Sequence, residues 1–119
     1  MSQRTEQVAE ALHRLIAEAF MRELEFPEGT LATISEVIVA PDLKHADVFV
    51  TILPFDQTEH VMGFLVRNRK RIQHGLTKHL TMKFSPQIRF VADTRTEIAS
   101  NIEQIIDAEA KEQKVEGSA

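Results

Sequence analysis

The sequence predicts an α+β fold in which a three-stranded sheet carries helices packed on one face. Apolar residues recur at helical spacing in three long segments, two runs rich in Ile, Val and Thr follow each other across a short turn, and a third such run precedes the last helical segment. The order helix, strand, strand, helix, strand, helix lacks the alternating crossovers of a doubly wound fold. It favours a single two-layer domain.

The first half of the chain predicts one helix and a hairpin. Residues 4–25 have the apolar periodicity of an amphipathic helix, which ends before Pro27. Residues 31–40 and 46–53 predict strands, and the second run alternates apolar and polar positions as a strand with one buried face does. Because Pro41-Asp42 begins a turn between them, we expect a hairpin with a five-residue loop.

The second half predicts a long helix, a strand and a final helix. The helix spans 57–81, which is long for so small a domain, and we expect a kink near Asn68–Lys70. Residues 87–92 predict the third strand, and Asp93 or Thr94 would cap the last helix. The apolar stripe of that helix predicts packing in the core or on the sheet, with a dimer interface as the alternative. The stripe consists of Ile98, Ile102, Ile105 and Ile106.

Length and composition indicate one soluble domain. The 119 residues are 43% hydrophobic and 27% charged, which is ordinary for a globular protein. We expect the domain to occupy residues 1–110 and the polar residues 111–119 to form a disordered tail. The absence of Cys excludes disulfides, and the polar N-terminus lacks the apolar run of a signal peptide. No stretch is apolar enough to span a membrane, so we expect a cytoplasmic protein.

Charge is distributed very unevenly along the chain. Residues 60–92 contain no acidic residue, yet they hold seven of the 14 lysines and arginines. The remaining residues carry the other seven bases and all 18 acids, so the net charge of −4 conceals a basic segment in an acidic background. A local cationic surface of this kind predicts docking of a polyanion, of which nucleic acid is the commonest.

Helical spacing places most of these bases on one side of the long helix, opposite its apolar positions. A solvated helix face is the alternative interpretation, but the lack of neighbouring acids favours phosphate binding. Each phosphate neutralised by Lys or Arg releases counterions, and Arg can donate two parallel hydrogen bonds to one phosphate. The residues on this side are Arg67, Lys70, Arg71, His74 and Lys78.

The hairpin and its surroundings resemble a known family. Residues 40–50 read Ala-Pro-Asp-Leu-Lys-His-Ala-Asp-Val-Phe-Val, and bacterial ribosome-binding factor A typically has Ser-Pro-Asp-Leu-Lys-His-Ala before an alternating strand. Residues 18–27, a helix end with Arg-Glu-Leu before a proline, are also similar to that family. So are residues 80–90, a basic helix end followed by Ser-Pro and a strand. The resemblance covers roughly residues 4–106.

This resemblance implies a type II KH-like fold and a cytoplasmic role in assembling the small (30S) ribosomal subunit. The family binds that subunit late in maturation of its 16S rRNA, near the 5′ end of that RNA, and is not an enzyme; no cofactor is implied. Where standard KH domains have a Gly-x-x-Gly loop, the family has a helix-kink-helix bearing Ala-x-Gly. The aligned residues here are Asn68-Arg69-Lys70, where Arg69 and Lys70 would supply charge instead.

The candidate RNA-binding residues combine the basic helix with two neighbouring segments. At the hairpin loop, turn chemistry around Asp42 is the alternative to an RNA or protein contact. Arg89, on the third strand, is expected only to cover a face of the sheet. The candidates are Arg67, Arg69, Lys70, Arg71, His74, Lys78, Lys83, Lys44 and His45.

Other functions have weaker support in the sequence. Asp42, His45 and Asp47 are close in sequence, yet a hairpin loop need not bring them together, and there is no His-Glu-x-x-His motif; we expect no metal site. No phosphate-binding P-loop is present, and no residue is nominated for catalysis. A protein-interaction module that uses the hairpin edge or the last helix, without RNA contact, is the main alternative. We expect a monomer.

Overall fold

The computed structural model describes residues 3–80 and 85–117, with the backbone alone for 108–117. The six predicted elements are present in the predicted order. They are α1 (Gln3–Arg22), β1 (Leu31–Val39), β2 (His45–Leu53), α2 (Thr58–His79), β3 (Gln87–Ala92) and α3 (Arg95–Gly117), with a short 3-10 turn at Phe55–Gln57 before α2.

The three strands form one mixed sheet in the order β1-β2-β3. Strands β1 and β2 pair antiparallel as the predicted hairpin, and the loop between them comprises residues 40–44. Strand β3 pairs parallel to β2, from His45 opposite Gln87 to Val50 opposite Ala92, and α2 supplies the crossover that a parallel pair needs. The predicted α+β class is therefore confirmed.

A β-bulge divides strand β1. The register passes from Ile34 opposite Val50 to Glu36 opposite Phe49, so Ser35 is an extra residue with no residue directly opposite it on β2. One inserted residue exchanges the two faces of the strand. Ile34 and Val39, which have different parity, are therefore both buried on the same side.

The core lies between the sheet and two helices, α1 and α2. Strand β2 is central, and its alternate residues from Ala46 to Ile52 are buried on the helical face. Because helix positions three or four residues apart share one face, each helix presents a continuous apolar stripe to these strands. The helical core residues are Val8, Leu12, Ile16 and Phe20 in α1, and Val61, Leu65, Ile72 and Leu76 in α2.

Helix α3 departs from the prediction. Its four isoleucines are exposed, so the expected packing of this stripe in the core or on the sheet is wrong. The helical face of the sheet is already covered by α1 and α2, and a cluster of ion pairs around Asp93 and Arg95 sets the start of α3. The stripe is left without a surface to cover.

Helix α3 extends past residue 110, to Gly117. The run Ala108 to Lys114 consists of Ala, Glu, Lys and Gln, which have high helix propensity, so a helix that has begun at Arg95 can continue through it. Residues 118–119 lie outside the described part of the chain, and both the domain boundary near residue 110 and the disordered tail stay predictions.

Candidate nucleic-acid interface

Helix α2 turns one side to the core and the opposite side to solvent. At about 100° per residue, its exposed bases lie within about 100° of one another, centred nearly opposite the buried residues Leu65 and Leu76. The predicted clustering on one side is therefore present. We call this set the α2 basic face; it comprises Arg67, Lys70, Arg71, His74 and Lys78, all exposed.

None of the α2 basic face residues forms an ion pair with an acidic residue among the described parts of the chain. Other bases do: Arg89 Nε lies 3.0 Å from Asp47 Oδ1, and Arg95 Nη2 lies 2.7 Å from Asp93 Oδ2. This follows from the sequence, because α2 carries no acid after Glu59. The positive charge of the α2 basic face is thus available to an external anion.

Arg69 does not belong to this face. It follows Leu65 by four residues, so helical geometry directs it toward the margin of the buried side, and its side chain is half-buried. Arg69 was a candidate because it lies in the tripeptide aligned with Ala-x-Gly, although helical spacing already left it off the basic side. Its half-buried side chain agrees with that spacing and makes it the weakest of the α2 candidates.

A glycine one turn earlier makes room for Arg67. A Cβ atom added at Gly63 would lie 3.3 Å from Nη1 of Arg67, so the guanidinium folds back over the bare backbone of the preceding turn. The two residues are four apart, so their spacing in the sequence is a signal that could have predicted this contact.

The hairpin loop holds Lys44 and His45 at the surface. Leu43 has a φ of 62°, a left-handed conformation that is costly for a residue other than Gly or Asn, and its side chain packs against the core. The Lys44 N–H donates to Asp42 Oδ1 at 2.9 Å, the turn chemistry that was the alternative interpretation. Lys44 and His45 nevertheless remain exposed, so the turn leaves both side chains free to reach a ligand.

Gln73 joins α2 to the start of β3, and sequence reasoning missed it. Its Nε2 donates to the carbonyl oxygen of Pro86 at 2.8 Å and to Ser85 Oγ at 3.2 Å. Its Oε1 accepts from the N–H of Ile88 at 2.8 Å. In the sequence, Gln73 is a polar residue in a basic run and cannot be told from a solvent-exposed position. No sequence signal therefore predicts its hydrogen bonds. Its role is to fix the basic helix against the sheet.

These contacts bring the loop bases to the carboxyl-terminal end of α2. Lys44 and His45 line a shallow cavity of about 490 Å3 together with Ser85. Ser85 Oγ lies 3.1 Å from Oγ1 of Thr77, the residue before Lys78. The candidates from two segments therefore share one end of the molecule. The remaining candidate, Lys83, lies outside the described residues.

No arrangement typical of metal binding is present among the described residues. Of the three residues considered, Asp42 accepts a hydrogen bond from the loop backbone and Asp47 pairs with Arg89, and the three do not form a group that could hold a metal ion. In the described part of the chain, no helix combines the length and apolarity needed to cross a membrane.

A family model described as ribosome-binding factor A matches residues 4–106. The chain belongs to the ribosome-binding factor A family. The predicted resemblance is confirmed, and with it the KH-like class of the α+β fold.

Named relatives in the ribosome-binding factor A family match nearly the whole chain. The protein from Bradyrhizobium diazoefficiens is 32% identical over 111 residues, which is 93% of this chain and 76% of the relative. The protein from Nitrosococcus oceani is 33% identical over 105 residues, 87% of this chain and 83% of the relative. Both are named ribosome-binding factor A.

Solved structures of the family share the fold. The crystal structure of ribosome-binding factor A from Thermus thermophilus aligns with a TM-score of 0.66 at 24% identity, over 74% of this chain and 93% of that one. A Thermus thermophilus homology model, fitted into a cryo-EM map of a 30S complex with ribosome-binding factor A, aligns with a TM-score of 0.56 at 21% identity. It covers 79% of this chain and 96% of that one.

The helix-kink-helix implied by the resemblance corresponds to one helix in this chain. Helix α2 is unbroken from Thr58 to His79, so it is not divided into two helices near Asn68–Lys70. Asn68, Arg69 and Lys70 contain neither Gly nor Pro, and Asn68 Nδ2 donates to the carbonyl oxygen of Phe64 at 2.8 Å. The α2 basic face consequently lies along one unbroken helix.

Proposed function

We propose that this member of the ribosome-binding factor A family binds the small (30S) ribosomal subunit by laying the α2 basic face along phosphates of 16S rRNA. It assists late maturation of the subunit and processing of that RNA in the cytoplasm, as a monomer and without catalysing a reaction. The observation that carries the proposal is one helix side with four exposed Lys and Arg residues, none of them paired with a described acid.

The geometry of α2 suits a phosphate backbone. Arg67 and Lys78 are eleven residues apart, so the face extends about 16 Å along a continuous helix. A ridge of this length can follow several phosphates of one strand, and each contact contributes through counterion release. Phosphate contacts position a protein without reading bases, and recognition of RNA then depends on its shape.

The rest of the molecule restricts how the ridge can be used. Outside residues 60–92 the chain carries more than twice as many acids as bases. Those acids repel phosphate, so α2 and the adjoining loop form the surface with which the protein can approach RNA. Lys44 and His45, at the carboxyl-terminal end of α2, would extend the contact, and Lys83 is a further candidate from the connection that follows.

Salt dependence of binding to purified small subunits tests this proposal. Cosedimentation through sucrose gradients at several ionic strengths gives the slope of affinity against salt. Replacing Arg67, Lys70 and Arg71 with Ala should weaken binding and reduce the slope by up to about 0.7–0.9 for each phosphate that the variant no longer neutralises. The folded core is unaffected, because all three side chains are exposed.

A matched control separates the location of the charge from its amount. Arg4, Arg14 and Arg22 are exposed on α1, and their replacement with Ala removes the same three charges. This variant should keep a slope close to that of the parent. Equal losses in the two triple variants would mean that only net charge matters, and an unchanged slope in the α2 variant would reject the α2 basic face as the interface.

A further inference from the structure

Helix α3 exposes an apolar stripe that the proposed RNA interface does not use. The exposed fractions are 54% for Ile98, 51% for Ile102, 59% for Ile105 and 56% for Ile106. No other element among the described residues packs along this helix. Single exposed apolar residues are common on proteins, but four isoleucines along two to three turns of one helix indicate an interaction surface.

The stripe points away from the body of the protein. The four isoleucines lie within about 100° around the helix axis. Glu97 and Ser100, which are half-buried, lie on the opposite side and mark the direction of the body. From Asn101 to Asp107 the residues on every side of α3 are exposed, so the stripe does not cover the chain's own sheet.

Ion pairs fix the first residue of α3 to the sheet. Asp93, whose side chain is 5% exposed, accepts from Arg95 Nη2 at 2.7 Å, from Arg95 Nε at 3.0 Å and from Ser35 Oγ at 2.6 Å. Arg95 also lies 3.3 Å from Glu36 Oε2 on β1. The cluster ties the start of α3 to the bulge of the sheet, and the helix projects from it with its apolar side outward.

The size of the stripe suits a groove better than a stable dimer. Four isoleucines, each about half exposed, present roughly 400 Å2, about half of the ~800 Å2 that each partner buries in a standard interface. An amphipathic helix that lays such a stripe into a groove is a common mode of protein recognition. The stripe is smaller than a standard dimer interface and has the form of the apolar face that such a helix presents to a groove.

The charges beside the stripe specify the partner further. Glu97, Glu103 and Asp107 lie on its flanks and on the far side of the helix, and the only base in the described side chains of α3 is Arg95, which is engaged with Asp93 and Glu36. This acidic surround repels RNA phosphates. It also opposes pairing with a second copy of the same helix, and it attracts a basic protein surface.

We infer that α3 is a protein-docking helix, whose isoleucine stripe inserts into an apolar groove rimmed by Lys and Arg on a basic protein of the small ribosomal subunit. The inference rests on the proposed function, because that subunit supplies the partner. In this arrangement the molecule contacts the subunit at two chemically different places. The α2 basic face contacts RNA, and the α3 stripe contacts protein.

Site-specific cross-linking tests the inference directly. The chain contains no Cys, so Ile102→Cys introduces a single thiol that can carry a benzophenone photoprobe. After photolysis in the presence of purified small subunits and digestion with ribonuclease, the adduct should contain one basic ribosomal protein. The matched control is Gln104→Cys, exposed on the opposite side of α3, which should give at least about fivefold less of that adduct.

A second position separates this inference from the proposed function. Lys70→Cys on the α2 basic face should cross-link to RNA and lose the adduct on ribonuclease treatment. An adduct of Ile102→Cys with a ribosomal protein supports the inference. An adduct with RNA or with a second copy of the chain, or the absence of any adduct, overturns it. None of these results affects the proposed function if Lys70→Cys still cross-links to RNA. Failure of the parent chain to associate with small subunits would overturn both proposals.

Affinity measurements provide an independent test. Replacing Ile102 and Ile105 together with Ala should lower affinity for small subunits by about tenfold. The slope of affinity against salt should stay unchanged, because the variant still neutralises the same phosphates. A reduced slope, or an unchanged affinity, would contradict docking by the apolar stripe.

Discussion

Helices α2 and α3 are similar in length and in apolar periodicity, but only α2 buries its apolar stripe. They contain 22 and 23 residues, and each has a stripe of Ile, Leu or Val at helical spacing. The stripe of α2 is buried against the sheet, and the polar side it leaves in solvent is basic. The stripe of α3 is exposed, and the residues around it are mainly acidic.

This contrast shows that an apolar stripe predicts burial without saying which surface covers it. A three-stranded sheet offers one helical face, and α1 and α2 fill it. The topology of the chain determines which helix covers that face. Helix α2 must cross over the sheet to make β3 parallel to β2, whereas α3 follows the last strand and has no such constraint. The two helices also differ in charge. The exposed side of α2 is basic and suits an anionic partner, whereas the surroundings of the α3 stripe are mainly acidic and suit a cationic partner.

The greatest change is expected when one residue of each stripe is truncated. Leu65→Ala should cost about 2–5 kcal/mol of unfolding free energy, because Leu65 is fully buried and its removal leaves a cavity. Ile102→Ala should change the unfolding free energy by no more than about 0.5 kcal/mol, as is usual for surface substitutions. Urea denaturation of the isolated protein measures both. A cost above about 1 kcal/mol for Ile102→Ala would mean that α3 packs on the chain itself.

The next effect concerns how α2 is fixed to the sheet. Gln73→Ala should cost about 1–3 kcal/mol, because it removes the partner of the Ile88 N–H and two donated hydrogen bonds. Gln73→Glu keeps an acceptor for the Ile88 N–H and loses the donors, so its cost should be intermediate. Denaturant midpoints of the three proteins provide the comparison. Equal stability of the parent and Gln73→Ala would show that α2 is held by apolar packing alone.

A smaller effect, of opposite sign, concerns helix propensity. Helix α2 contains interior glycines, and α3 has none before Gly117. Gly75→Ala should stabilise the protein by up to about 1 kcal/mol, since the added Cβ would meet Glu23 at an ordinary 3.8 Å.

Gly29 provides the control for this prediction. It has a φ of 78°, so Gly29→Ala should destabilise the protein although space is open around it. Thermal midpoints that move in opposite directions for the two substitutions would support the distinction. A loss of stability in Gly75→Ala would indicate that α1 and α2 are closer at that point than the structure shows.

The weakest change is expected at the cluster that starts α3. Hydrogen bonds from Arg95 and then Ser35 hold the pKa of Asp93 well below its usual range. A carboxylate with a lowered pKa in the folded state adds stability above its unfolded pKa, near 4, and loses it as the pH falls toward its folded pKa.

Arg95→Ala removes the largest cause of that lowered pKa. The difference in stability between the parent and Arg95→Ala should therefore be greatest at neutral pH and shrink as the pH falls below about 4. Denaturation at pH 7 and pH 3 measures this change. Arg22→Ala, which removes an exposed ion pair on α1, serves as the control. A difference independent of pH would show that Asp93 titrates normally in the folded protein.

Much of the candidate site could be derived from residue order. The lack of acids from His60 to Ala92 and the helical spacing from Arg67 to Lys78 predicted an unpaired basic face, which the structure contains. Arg69 shows the limit of a charge run as evidence. Its charge is the same as that of its neighbours, and only its angle around the axis separates it from them.

Residue order was enough to establish the elements, the hairpin, the uneven charge and the family, because periodicity, turn residues and local charge are properties of neighbouring positions. The bulge at Ser35, the hydrogen bonds of Gln73, the continuity of α2 and the exposure of the α3 stripe emerged only from the folded arrangement. Each of these depends on which surfaces meet across the sheet and which face is already filled. Contacts between distant residues carry that information, and no local pattern encodes it.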